Sequence, residues 1–203
     1  MIRALLIDLD GVIRNWSRQE DPAAEAAFGL PPGAVRSVAF APERLLPAIT
    51  GQITDQAWRE QIRAELARQF PGADAAGAVA WWSEPHGEVN AEVIELVHAC
   101  RRRVAVVLVT NATTRLPDDL RRLGIDAAFD HIINSSAVGA AKPDPAIFAA
   151  ALAAAGVAAA DALFVDDTPG HVEAARRLGL AAHHYTGAAG LRDRLRALGL
   201  LAP

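Results

Sequence analysis

Four carboxylates close two short apolar runs: Asp8 and Asp10 end the first part of LLIDLDGVI, and Asp166 with Asp167 end ALFVDD. Acids placed where a buried strand comes to an end resist leaving water, and they resist one another. A third run, VAVVLVT, leads into Thr110 and Asn111, and a fourth, HIIN, is followed by Ser135 and then Lys142. Brought together, these groups set four carboxylates against one ammonium, a balance that calls for a further cation. Magnesium suits it, being a hard ion that takes oxygen ligands, accepts few from the protein and leaves the rest to water and a substrate phosphate. The fuller acidic loop of a calcium-binding EF-hand is absent. A strand's period of two sends Asp8 and Asp10 to one side, so that one can attack while the other handles a proton. Carboxylates are nucleophiles toward phosphorus, and a metal, a lysine and a hydroxyl are groups that stabilise a transferring phosphoryl.

Elements that would position such groups are legible. The four runs are short, apolar on both faces and flanked by breakers, as buried parallel strands are. Helical patterns separate them. Asp144-Pro145 and Thr168-Pro169 read as helix starts, and Gly156 and Gly179 as helix ends. Ala149 to Ala160, with Ile147, Phe148 and Leu152 as its core stripe, reads as helix; LAAHHY reads as a fifth, weaker strand, and LRDRLRALGL as a closing helix. Strand and helix in repetition predict an α/β fold, a Rossmann-like three-layer core with a parallel sheet. The carboxyl ends of such strands form a ligand crevice, where the acids, Thr110 and Lys142 converge.

One connection breaks the rhythm. The segment from Gly11 to Arg103 is far longer than a crossover needs. Within it Trp58, Ile62, Leu66 and Phe70 recur every four residues among charged neighbours, one face of an amphipathic helix. NAEVIELVHAC, with Asn90 as N-cap, reads as a core helix leading back to the sheet. These readings divide the chain into a core of residues 1–14 and 86–203 and an inserted helical cap domain of residues 15–85.

The motifs resemble the haloacid dehalogenase superfamily: DLDGV its first motif, LVTNAT its second, GAAKPDPAIF its third and LFVDDTPGHVEAARRLGL its fourth, in the family order. The resemblance implies a cap of the C1 type inserted after the first motif. It also implies roles: Asp8 as nucleophile and magnesium ligand, and Asp10 as general acid/base that lends its backbone carbonyl to the metal. Thr110, with the Asn111 backbone, would hold a phosphoryl oxygen, and Lys142 would neutralise charge. Asp167 would be the direct metal ligand beside Asp166, or the two exchanged. Dehalogenating members lack an acid at the second position because a halide leaves without a proton; Asp10 therefore favours a phosphatase. The expected activity is Mg2+-dependent hydrolysis of a small phosphorylated metabolite through an aspartyl-phosphate. A phosphosugar mutase is the alternative, and a non-catalytic phosphoacceptor or binding protein a more distant one.

Composition is consistent with a cytoplasmic enzyme. The 203 residues are 52% hydrophobic, enough for a packed core, and the net charge of −4 argues against nucleic acid or an anionic membrane as partner. A lone cysteine, Cys100, excludes an internal disulfide framework and a thiolate zinc site. The first acid arrives too early for a signal peptide, and no apolar run reaches membrane-spanning length. Trp16, Trp81 and Trp82 are expected to pack rather than to touch substrate. His86, His171, His183 and His184 have no partner spacing that assigns them a role.

Overall fold

The computed structural model describes residues 1–16, 22–84 and 87–201. In chain order the elements are β1 (Ala4–Ile7), β2 (Arg14–Asn15), α1 (Pro22–Ala27), α2 (Ala34–Ala39), α3 (Pro42–Ile49), α4 (Asp55–Gln69), α5 (Ala75–Ser83) and β3 (Glu88–Val89). There follow α6 (Ala91–Arg101), β4 (Ala105–Thr110), α7 (Leu116–Leu123), β5 (His131–Asn134), α8 (Ser135–Val138), α9 (Pro145–Ala155), β6 (Ala162–Asp166), α10 (Pro169–Arg177), β7 (Ala181–His184) and α11 (Ala188–Ala197).

The large sheet has the order β5-β4-β1-β6-β7, and all its pairings are parallel. Alternation along β1 shows why its strand must be apolar on both sides. Leu5 and Ile7 pack with Val93, Val97 and Leu191 from α6 and α11, whereas Ala4 and Leu6 pack with Phe148 and Ala175 from α9 and α10. This gives three layers. Phe148 meets Phe164 edge-to-face at 5.1 Å and 80°, a geometry that adds to area burial.

The structure revises three expectations at the edges. HIIN is not buried on both faces: β5 is an edge strand, and Ile132 is 41% exposed. The alanine-rich helix stops at Ala155, because Gly156 takes the left-handed conformation, and only a 3-10 turn at Ala159–Asp161 follows. Thr168 precedes α10 but makes no side-chain cap; its own N–H donates to Asp166 Oδ1 at 2.8 Å. Other caps are as expected, with Asn90 accepting from Val93 N and Asp144 from Ala146 N.

Helices α2 to α5 bury a second core of their own around Val35, Val38, Trp58, Ile62, Leu66 and Trp82. Glu25 of α1 supplies the missing cap of α2, accepting from the N–H groups of Gly33 and Val35. The chain leaves and re-enters the core through the antiparallel pair β2–β3. The expected boundary at residues 85 and 86 lies outside the described residues. Both bodies touch directly: Thr113 Oγ1 donates to Asp55 Oδ1 at 2.7 Å, and Arg115 Nη1 to the Ser83 carbonyl at 2.6 Å. At Gly51, which has φ of 72°, an added Cβ would lie 2.0 Å from the Ser136 carbonyl oxygen. Among the described residues no helix is long and apolar enough to cross a membrane.

Candidate active site

Register builds the site. Ile7 lies between Leu108 of β4 and Val165 of β6, so the next residue, Asp8, emerges level with Asp166 and one position short of Thr110. Asp8 N donates to the Val165 carbonyl at 2.9 Å, fixing the backbone there. Asp8 and Thr110 are buried, and Asp166 is fully so.

Lys142 joins the two acids. Its Nζ stands 2.7 Å from Asp8 Oδ1 and 2.7 Å from Asp166 Oδ2, and the side chain is 1% exposed. Asn111 sets the lysine's backbone: its Nδ2 donates to the Lys142 carbonyl at 2.9 Å, and its Oδ1 accepts from Lys142 N at 2.7 Å. The Asn111 side chain thus positions Lys142, a task separate from the backbone role expected of it.

Two buried carboxylates on one ammonium leave a negative charge unbalanced, and the environment divides its consequences unequally. Burial pushes the Asp8 carboxyl up to about 7, with Lys142 offsetting only part of the effect. Burial also works to raise Asp166, but a hydrogen bond from His171 and the Lys142 ammonium draw it down to about 2. His171 Nδ1 lies 3.1 Å from Asp166 Oδ1 and donates in its Nδ1–H form. Lys142 is held above its ordinary value: burial opposes its charge, and the two acids overcome that.

Asp167 completes the acidic group. One oxygen from each of Asp8, Asp166 and Asp167 lies within 4.8 Å of the others, a hard-oxygen donor set that fits a divalent cation. Gly11, with φ of 78°, is needed beside it, since a Cβ there would meet Asp167 Oδ2 at 2.0 Å. The Asp10 carboxylate is not a member of that group.

Asp10 instead faces the helical insertion. Its Oδ1 accepts from Arg14 Nε at 2.6 Å and from Trp16 Nε1 at 2.7 Å, and its Oδ2 accepts from Arg14 Nη2 at 2.9 Å. Arg14 is buried, stacks over Trp16 at 4.4 Å and donates through Nη1 to Asp119 Oδ2 at 3.2 Å. Burial works against its charge, yet Asp10 and Asp119 hold its pKa above the ordinary value. The expectation of one cation facing four acids is therefore corrected: Asp10 faces a second cation, the Arg14 guanidinium, which it shares with Asp119.

Sequence reasoning does not single out Arg14, Asp119 or His171 for a site, and it gives Trp16 only a packing role. The available signal is slight: a charged Arg14 directly after the apolar Val12-Ile13, and a histidine in the first turn after the acidic pair. Ser135 Oγ engages the Ala112 backbone, accepting from its N–H at 3.0 Å.

Residues 2–179 match the haloacid dehalogenase-like hydrolases as a family. The chain belongs to that family. It is 27% identical over 205 residues to "Phosphatase MT3486" of Mycobacterium tuberculosis, covering 95% of this chain and 91% of that protein. A 70-residue stretch is 44% identical to haloacid dehalogenase-like hydrolase domain-containing protein 3 of Mus musculus, spanning 34% of this chain and 28% of the mouse protein. A family enzyme of Bacteroides thetaiotaomicron, solved in complex with magnesium and inorganic phosphate, has the same fold: TM-score 0.75 at 22% identity, covering 90% of this chain and 93% of that one.

Proposed function

We propose that this protein is a Mg2+-dependent phosphomonoester hydrolase acting on a small phosphorylated metabolite through an aspartyl-phosphate. The observation that carries the reading is the buried Asp8–Lys142–Asp166 group with a second acid, Asp10, two residues beyond the first. The phosphatase name of the mycobacterial relative and the magnesium and phosphate bound to the Bacteroides enzyme support it.

Asp8, as carboxylate, attacks phosphorus, forming an Oδ–P bond as the bond from phosphorus to the ester oxygen breaks. Asp10, as carboxylic acid, gives its proton to the departing oxygen, then as carboxylate takes a proton from the water that attacks the aspartyl-phosphate. Cleavage of the Oδ–P bond returns Asp8 and releases phosphate. Thr110 and the backbone of Asn111 orient the phosphoryl oxygens, while Lys142 balances charge on Asp8 and on the phosphoryl group. Asp8 and Asp167, with Asp166 beside them and the Asp10 carbonyl, would hold Mg2+, which supplies positive charge against the phosphoryl oxygens. Residues 15–85 serve as the cap that covers the reaction, and residues 1–14 and 86–203 as its base.

The test is release of inorganic phosphate from a panel of phosphomonoesters, with Mg2+ or with chelator, for wild type and Asp8→Asn. Metal-dependent release that is lost in the variant is expected. Undiminished release by Asp8→Asn overturns the nucleophile, and an isomerised ester without free phosphate replaces the hydrolase with a mutase.

A further inference from the structure

Three bonds hold the Asp10 carboxylate, and they leave one place for a proton. Oδ1 accepts from both Arg14 Nε and Trp16 Nε1, which uses its two lone pairs, whereas Oδ2 accepts from Arg14 Nη2 alone among the described residues. Oδ2 is therefore the oxygen with a lone pair left to carry a proton.

Where Oδ2 points depends on Arg14. Its Nε and Nη2 meet the two oxygens of Asp10 as a bidentate fork, and a fork ties the plane of the carboxylate to that of the guanidinium. The acid is the loose end of this pair, 36% exposed at the side chain against 4% for Arg14. What anchors the fork is its third bonded nitrogen: Nη1 donates to Asp119 Oδ2 at 3.2 Å. Charge balance alone does not require that contact, since Asp10 already matches the guanidinium. Its effect is on orientation, because a guanidinium bonded at both ends cannot turn and carry the Asp10 carboxylate with it.

Asp119 is gripped from its other side. Its Oδ1 stands 2.7 Å from Arg115 Nε. Arg115 Nη1 in turn donates to the Ser83 carbonyl at 2.6 Å, at the C-terminal end of α5, where helix carbonyls lack an intrahelical partner. Charges alternate along Asp10, Arg14, Asp119 and Arg115, and the row runs from the loop after β1 across the start of α7 to the insertion. Asp119 is 9% and Arg115 18% exposed, so water screens these contacts little.

We propose, on the hydrolase reading, that Asp119 is a positioning residue for proton transfer. It fixes the Arg14 guanidinium, and through it aims Asp10 Oδ2 at the ester oxygen, with Arg115 tying that aim to the end of α5.

The experiment compares two esters with the Mg2+-loaded protein: 4-nitrobenzyl phosphate, whose alkoxide must be protonated as it leaves, and 4-nitrophenyl phosphate, whose phenolate leaves without a proton. The aromatic bodies are alike, so their binding contributes similarly. Asp119→Asn can accept from one guanidinium but not from both. It is expected to lower kcat/KM about five- to tenfold for the benzyl ester and less than about twofold for the phenyl ester. A merely structural Asp119 would lower both alike. In an Arg14→Met background the same substitution should change the benzyl value by less than about twofold, since the residue it acts through is gone. Equal losses for the two esters, no loss for either, or losses that multiply in the double variant overturn the proposal while leaving hydrolysis standing. Should Asp119→Asn fail to fold, Asp119→Glu takes its place, keeping the charge but displacing the carboxylate by one methylene. A loss of about threefold confined to the benzyl ester is then expected, and a uniform loss or none overturns the proposal.

If the wild type turns over neither ester, the indole N–H resonances of the same variant decide. Trp16 bonds Asp10, whereas Trp58 bonds the Ala39 carbonyl within the insertion. A larger shift for Trp16 than for Trp58 upholds the hold of Asp119 on Asp10 although the hydrolase reading has failed. A shift no larger than that of Trp58 overturns it.

Discussion

Asp8 and Asp10 are two residues apart and live in different media. Asp8 is enclosed by the sheet: its neighbours Lys142 and Asp166 come from the rim of the strands, and its side chain is 8% exposed. Asp10 is 36% exposed at the side chain, and its partners Arg14 and Trp16 lie toward the insertion. One carboxylate is thus tied to strand ends, and the other to the loop after β1 and, through Trp16, to the chain that leads into the insertion. Attack on phosphorus is common to every ester, whereas protonation occurs at the oxygen of a particular leaving group. In the proposed mechanism the division of labour follows from where each acid gets its neighbours.

Substitution at the two positions should separate these roles. Asp8→Asn removes the proposed nucleophile and is expected to lower kcat by at least about 10^4-fold whatever the leaving group. Asp10→Asn removes the proposed proton transfer together with the charge facing Arg14, so a loss of about 10^2 to 10^4-fold is expected with an alkyl phosphate and a much smaller one on formation of the aspartyl-phosphate from 4-nitrophenyl phosphate. Burst kinetics with both esters check this. Equal losses for the two esters in Asp10→Asn would break the comparison.

The contrast was only half legible in the sequence. Asp8, Thr110 and Asp166 each follow or end an apolar run, and parallel register alone carries them to one rim, whereas Lys142 lies in the loop after α8 and is held there through the Asn111 amide. The environment of Asp10 depends on Asp119, which stands 105 positions from Arg14 and meets it only because α7 packs beside the loop after β1. No local pattern encodes that pairing. The same reason hides β2 and β3, whose two-residue strands have no periodicity and exist through each other. The edge position of β5 is equally hidden, since HIIN reads apolar whether or not a neighbour covers it. Trp16 illustrates a related ambiguity: an indole is a good packing residue, and only the bond from its N–H to Asp10 shows a polar use.

Lys142→Met sharpens the core half of the comparison. It leaves Asp8 and Asp166 without their shared cation, so a loss of about 3–5 kcal/mol in unfolding free energy is expected in metal-free protein. Activity should fall by about 10^2 to 10^3-fold. Urea unfolding with and without Mg2+ reads the first effect, and added Mg2+ should restore part of the stability. On the other half, Arg14→Met loosens Asp10 without removing it. A fall of about tenfold in kcat is expected, with Arg14→Lys closer to wild type because it keeps the charge. A change confined to KM would show that Arg14 acts on the bound alcohol rather than on Asp10.

The smallest effect comes from a carboxylate at the opposite end of the sheet, which serves as a control for both. Asp130 accepts from Val106 N through Oδ2 at 2.8 Å and from Arg101 Nε through Oδ1 at 2.9 Å. Burial works to raise its pKa, but these bonds hold it below the ordinary carboxylate value, and it stands far from any reacting group. A folded-state pKa below the unfolded one contributes stability that is fully present above the unfolded value, near 3.9, and is lost as pH falls through the folded value. Asp130→Asn should therefore cost about 1 kcal/mol at pH 7, a figure kept small by solvent screening of a side chain that is 33% exposed. The cost should shrink as pH falls below about 4, where the unfolded carboxyl gains its proton first and the folded one at lower pH. Urea titrations at pH 7 and pH 3 measure it, and kcat should not move. A change in kcat comparable to that of Arg14→Met would mean that the two ends of the sheet are coupled, and that the separation of Asp8 from Asp10 is not a local matter of neighbours.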